Sequence, residues 1–192
     1  MLIKTITCHD VYNHGATLQA YALMKYLQNS GYEVEIINYK PDYLSRHNLW
    51  RIGDKWQRKN ILVRALYLLV KLPKRVMARR ARTPFDLFKK KHMRITKQCY
   101  KDCNELKKEP PYADAYIVGS DQVWNTLYKN GRDAAFYLDF APTGSRRIAY
   151  AASFSSREVL PEYREFVKSM IEKLAQGNPE RSPSKSRTSI IV

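Results

Sequence analysis

The chain is short of cysteine, of glycine and of negative charge. Its 192 residues include three cysteines, seven glycines, and 18 acidic side chains against 34 Lys and Arg. Cys8, Cys99 and Cys103 are too few, and odd in number, to build a disulfide framework, so the thiols read as reduced in a cytoplasmic setting. Cys99 and Cys103 have no second Cys pair or His cluster to complete a zinc set, and His9, His14, His47 and His92 are scattered along the chain, so no metal site is expected. The glycines form no GxGxxG, and the second strand candidate ends in Asn38 rather than in an acid that would hold a ribose. An NAD-binding fingerprint is thereby excluded. No apolar run reaches the roughly 20 residues that cross a bilayer. The longest, Ile61 to Leu72, is interrupted by Arg64 and Lys71. The opening MLIKTITCHD reads as a strand rather than as a secretory leader.

What is present points to a folded, cationic domain. With 44% hydrophobic and 12% aromatic residues, the chain has enough apolar surface for a core and is not a disordered polymer. Its length suits one domain of ordinary size, or one and a half. The net charge of +16 favours anionic partners such as phosphorylated small molecules or acidic lipid headgroups.

Periodicity sets the expected layout. Leu2 to Thr7 is a β-prone run, and Asn13-His14-Gly15 is a turn. Ala16, Ala20, Leu23 and Leu27 then fall on one helical face, and Gly31 is a stop. Glu33 to Asn38 is a second strand, which completes a βαβ unit with parallel strands. Between residues 41 and 110 the sequence predicts a helical, basic insertion without sheet: helices over Ile61 to Leu72, Val76 to Arg82 and Phe85 to Met93, separated at Pro73 and Pro84. Strand signals return at Ala115 to Val118, Phe136 to Phe140 and Arg147 to Ala152, before a helix from Pro161 to Ala175. Residues 1–175 thus read as one α/β domain with a parallel sheet and flanking helices. Residues 176–192 read as a disordered basic tail.

Three turns carry candidate chemistry. Asn13, His14 and Gly15 place backbone N–H groups at a helix start, where the dipole favours anions; the plainer reading is a turn and a cap. Gly119, Ser120, Asp121, Gln122 and Trp124 follow a buried strand, and ligands gather at carboxyl strand ends in open α/β sheets. Asp121 is a candidate catalytic base, and Ser120, Gln122 and Trp124 are candidate substrate contacts; the plainer reading is that Asp121 caps a helix and Trp124 packs into the core. Ser153 sits just past a further strand. A fourth feature is the basic stretch from Lys71 to Lys101. The plainer reading is a solvated helical face. Beside the apolar run Ile61 to Leu72 it also suits an anionic membrane surface, while no nucleic-acid-binding module is recognisable.

Three segments together resemble the polysaccharide pyruvyl transferase family: NHGATLQAYAL at Asn13 to Leu23, DAYIVGSDQVWN at Asp114 to Asn125, and FYLDF…RIAYAASF at Phe136 to Phe154. The resemblance implies one Rossmann-like amino-terminal half of a two-domain GT-B-type transferase. It implies transfer of a pyruvyl group from phosphoenolpyruvate, a co-substrate rather than a cofactor, to a sugar of a cell-surface polysaccharide or its lipid-linked precursor. The expected setting is the cytoplasm, with peripheral contact at the inner face of the cell membrane. The stretch from Gln176 does not resemble the family's continuation, so the expectation is a truncated chain whose second half is missing or is replaced by a partner or by self-association. Whether this chain alone is an enzyme is left open at this stage. The competing expectations are a nucleotide-sugar glycosyltransferase of GT-B type and a non-enzymatic basic module on anionic membranes.

Overall fold

Five parallel strands form the centre of the protein, in the order β3-β2-β1-β4-β5. They are β1 (Leu2–Ile6), β2 (Glu33–Tyr39), β3 (Ile95–Tyr100), β4 (Ala115–Asp121) and β5 (Arg146–Ala152). This computed structural model describes residues 1–44, 58–156, 158–176 and 190–191. The chain runs outward through β2 and β3, then returns to lay β4 on the other side of β1. That reversal is the topological switch point of a doubly wound sheet, where the loops diverge and leave a crevice.

Both faces of the sheet are covered, which is why its strands read as apolar runs. Residues alternate between two cores. Tyr116 and Val118 of β4 join a cluster with Trp124, Phe136, Leu138 and Val167. Ala115 and Ile117, one position offset, join Ala20, Leu23, Met24 and Val34 on the opposite face. Helix α1 (His14–Asn29) buries Thr17, Ala20, Leu23 and Met24. It ends where expected, with Gly31 at φ +87°, in the left-handed region open to glycine. Helix α3 (Cys103–Lys108) and helix α4 (Arg164–Gln176) cover the other face through Leu106, Val167, Met170 and Leu174.

Four expectations are corrected. The segment from residue 41 to 110 is not purely helical, because Ile95–Tyr100 forms edge strand β3, paired with β2 at Ile36, Asn38 and Tyr39. Its apolar alternation is weak because an edge strand exposes Lys97, Gln98 and Cys99. The three expected helices are one, α2 (Ile61–His92), with Pro73 and Pro84 inside it. Each proline removes one N–H donor from the ladder. Flanking Leu, Lys, Arg and Ala favour continuation, and the carboxyl-terminal end docks through Phe88 onto Tyr21, ring centroids 5.3 Å apart. Phe136 to Phe140 is not a strand: Ala134–Tyr137 is a 3-10 turn, ended by Leu138 at φ +58°. Its apolar residues, broken at Asp139, reflect burial in the core rather than sheet pairing. Of the proposed disordered tail, Ile190–Ile191 forms a two-residue strand, β6, parallel to β5, and residues 177–189 lie outside the described set.

Candidate functional site at the switch point

Because the five strands are parallel, the loops after β1, β4 and β5 leave from the same rim of the sheet. The predicted turns all lie on that rim. Asn13 is the N-cap of α1, its Oδ1 accepting from the Ala16 N–H at 3.2 Å. This is the plainer role foreseen for it. His14 and Gly15 open the helix and are exposed, with N–H groups in the first turn, which has no intrahelical acceptors. The His14 ring stands 4.6 Å from that of Phe85. A Cβ on Gly15 would lie 3.2 Å from Asn13 Oδ1, so the glycine keeps the cap and the first-turn amides uncrowded.

The end of β4 is bent by backbone rather than by side chains. Gly119 has φ +132° and Ser120 φ +58°; beside them on β5, Ala151 has φ +46°. Regular pairing holds at Gly119 with Tyr150 and at Asp121 with Ala152, and the two strained residues lie between these rungs. Non-glycine residues in this region cost roughly 1–3 kcal/mol each and concentrate where a chain must turn toward a ligand. Gly119 is buried, and a Cβ there would stand 2.0 Å from the Tyr150 carbonyl oxygen. The close approach of β5 therefore requires glycine at this position.

Asp121 and Ser153 are brought together by this bend. The Ser153 N–H donates to the Asp121 carbonyl at 3.1 Å, and the Trp124 N–H donates to the Ser153 carbonyl at 3.2 Å. Asp121 Oδ1 accepts from the Gln122 N–H at 2.7 Å. Ser153 Oγ accepts from the Ser155 N–H at 2.9 Å. Gln122 is exposed, and its Oε1 accepts from Asn125 Nδ2 at 3.1 Å. Ser120 is half-buried at the bend.

Trp124 is corrected from substrate contact to core residue. It is 2% exposed, stacks on Tyr137 at 5.5 Å, lies against Phe154 at 5.4 Å, and donates from Nε1 to the Phe136 carbonyl at 2.8 Å. Both ring faces and its one donor are committed, so no surface is left for a sugar.

Four residues of this rim escaped sequence reasoning: His9, Asp10, Lys40 and Lys89. Asp10 is 4% exposed and pairs with Lys89 at 2.8 Å and with Lys40 at 3.6 Å. Lys89 also reaches Asp86 at 3.1 Å. Burial pulls the Lys89 ammonium down, but the hydrogen bonds and charges of Asp10 and Asp86 outweigh it and hold the pKa above its ordinary value. His9 is fully buried beside this network, and neither ring nitrogen makes a hydrogen bond of good geometry among the described residues. Burial pushes its pKa down to about 4, against the opposing pull of Asp10 and a weak pull from the Thr7 carbonyl. The imidazole is therefore neutral at pH 7, an uncharged donor and acceptor at the carboxyl end of β1. Cys8, its neighbour, has a thiol pushed up to about 12 by burial and then by the Asp121 and Asp133 charges, so it is inert as a nucleophile. The usable sequence signal for His9 and Asp10 was position, directly after a buried strand.

Asp133, by contrast, is structural. Its Oδ2 accepts from the Tyr39 and Tyr43 hydroxyls at 2.5 Å each, and its Oδ1 caps the Ala135 N–H at 3.0 Å. Asp121 makes a single side-chain hydrogen bond among the described residues, accepting from the Gln122 N–H at Oδ1.

The fold and rim define a class: a doubly wound α/β protein whose polar loops gather at the switch point of a parallel sheet. More particularly, the chain belongs to the polysaccharide pyruvyl transferase family, whose profile matches residues 13–176. The match begins at the N-cap of α1 and ends at the last residue of α4, so it takes in the loops after β4 and β5, while residues 7–12 of the loop after β1, His9 and Asp10 among them, lie before it. No curated protein and no solved structure matches the chain.

Proposed function

We propose that this chain is one Rossmann-like half of a two-domain, GT-B-type transferase that moves a pyruvyl group from phosphoenolpyruvate to a sugar of a cell-surface polysaccharide or its precursor. Family membership supplies the reaction class. The observation that carries the site is the junction of the β4 and β5 ends, where Asp121 and Ser153 are hydrogen-bonded neighbours on the rim shared with the α1 N-terminus.

The chemistry assigns roles to these groups. A proton adds to the terminal enol carbon of the donor, leaving a cationic centre at its second carbon. A sugar hydroxyl attacks that centre and loses its proton to Asp121. The C–O bond to phosphate then breaks, phosphate leaving with the electron pair; a second sugar hydroxyl bonds to the same carbon and gives its proton to the departing phosphate, which closes the cyclic ketal. The α1 first-turn amides at His14 and Gly15 suit an anionic group. Ser120, Gln122 and Ser153 suit sugar hydroxyls. A group aimed at charge that develops only in the transition state acts on kcat rather than on KM.

A donor screen tests this. The chain, alone and with candidate partner domains, is given phosphoenolpyruvate or sugar nucleotides with glycan acceptors. Phosphate release and a ketal-bearing product are expected from phosphoenolpyruvate, both lost in Asp121→Asn. Turnover of sugar nucleotides instead would establish the glycosyltransferase alternative.

A further inference from the structure

Helix α2 carries a second surface remote in character from the switch-point rim. Leu62, Leu66, Leu69, Val70 and Met77 are each between 62% and 74% exposed. At about 100° per residue they fall within one stripe of the helix, whereas Arg64 and Lys71 fall on the opposite side. The stripe runs from residue 62 to 77, about 22 Å along the axis at roughly 1.5 Å per residue. Scattered exposed leucines need no explanation, but a continuous row on one helix face does.

Charge identifies the occupant. Between Ile61 and His92 there are ten Lys and Arg and one acid, Asp86. A second copy of the chain would bring another +16 to the same place, and like charge opposes that pairing. An anionic bilayer offers the complement to both features: hydrocarbon for the leucines and negative headgroups for the cations. Among the described residues no helix is long and apolar enough to cross a membrane, so the helix lies on the surface.

We infer that the amino-terminal half of α2 is a membrane-docking helix that lays its Leu62–Met77 stripe into the interface of an anionic bilayer. This surface is independent of the transfer reaction and stands whether or not that proposal holds. It would hold the switch-point rim near a lipid-linked glycan.

The test is vesicle sedimentation of the full chain with phosphatidylcholine vesicles and with vesicles containing phosphatidylglycerol. Binding at least tenfold tighter to the anionic vesicles is expected, weakening as salt rises. The double variant Leu66→Glu/Leu69→Glu should lose at least tenfold of that binding. Because both side chains are exposed, its circular dichroism and thermal unfolding should match wild type; Leu66→Gln/Leu69→Gln serves if they do not. Equal or absent binding of wild type to both vesicle types overturns the inference. So does full retention of binding in the variants, which would reduce the effect to charge alone. Light scattering that shows a dimer dispersed by the same variants would assign the stripe to self-association and also overturn it.

Discussion

Protonating His9 should unfold this protein more readily than protonating any exposed histidine. Its ring is fully buried and, among the described residues, makes no well-formed hydrogen bond; the folded-state pKa falls from 6.5 to about 4. The unfolded chain binds this proton more tightly than the folded one. Stability is therefore fully present above pH 6.5 and is lost as pH falls toward 4. With those two pKa values, linkage gives a loss of about 2 kcal/mol between pH 7 and pH 5 from this one group. For a chain of this size that is a fall in Tm of roughly 4–8 °C. Thermal unfolding followed by circular dichroism at half-unit pH steps would measure it, with His9→Gln as the control. Gln keeps a polar, uncharged side chain but cannot take up the proton, so its Tm should vary less between pH 7 and 5 by most of that amount. An identical pH slope in wild type and His9→Gln would refute the assignment. So would an NMR titration placing the His9 ring near 6.5.

Two further substitutions probe the rim. Gly119→Ala should destabilise by at least 3 kcal/mol, measured by denaturant unfolding, because its Cβ meets the Tyr150 carbonyl at 2.0 Å and φ is +132°. Asp10→Asn should cost about 3 kcal/mol at pH 7, because it strips the buried Lys89 of its nearest carboxylate and leaves, among the described residues, the exposed Asp86 at 3.1 Å and the Tyr12 ring at 5.1 Å. Both effects would appear in unfolding curves without any substrate present.

Much of the architecture was legible in order and spacing. Leu2 to Thr7, the turn at Asn13, the stripe of α1 and the stop at Gly31 each follow a local rule, and each element lies where its rule puts it. The strand before Gly119 was legible because it is buried on both faces and so uninterrupted by polar residues. Other features depended on neighbours. Ile95–Tyr100 became a strand because β2 offered an open edge, not because its own pattern was strong. Phe136 to Phe140 had the composition of a strand, yet packing against Tyr39 and Trp124 holds it as a turn. Helix α2 ran through two prolines that local rules treat as ends.

The site divides the same way. Sequence alone determined which residue types sit at each turn, and hence that Asn13 could cap a helix and Asp121 could accept a proton. Only the folded chain decided their company. Parallel pairing puts the β1, β4 and β5 loops on one rim, and two left-handed residues at adjacent positions hydrogen-bond Ser153 to Asp121. Long-range contact also took Trp124 into the core and joined Asp10 to Lys89, 79 positions apart in the chain. Local propensity is a property of neighbours in sequence, whereas burial and charge pairing belong to neighbours in space, which a linear reading does not contain.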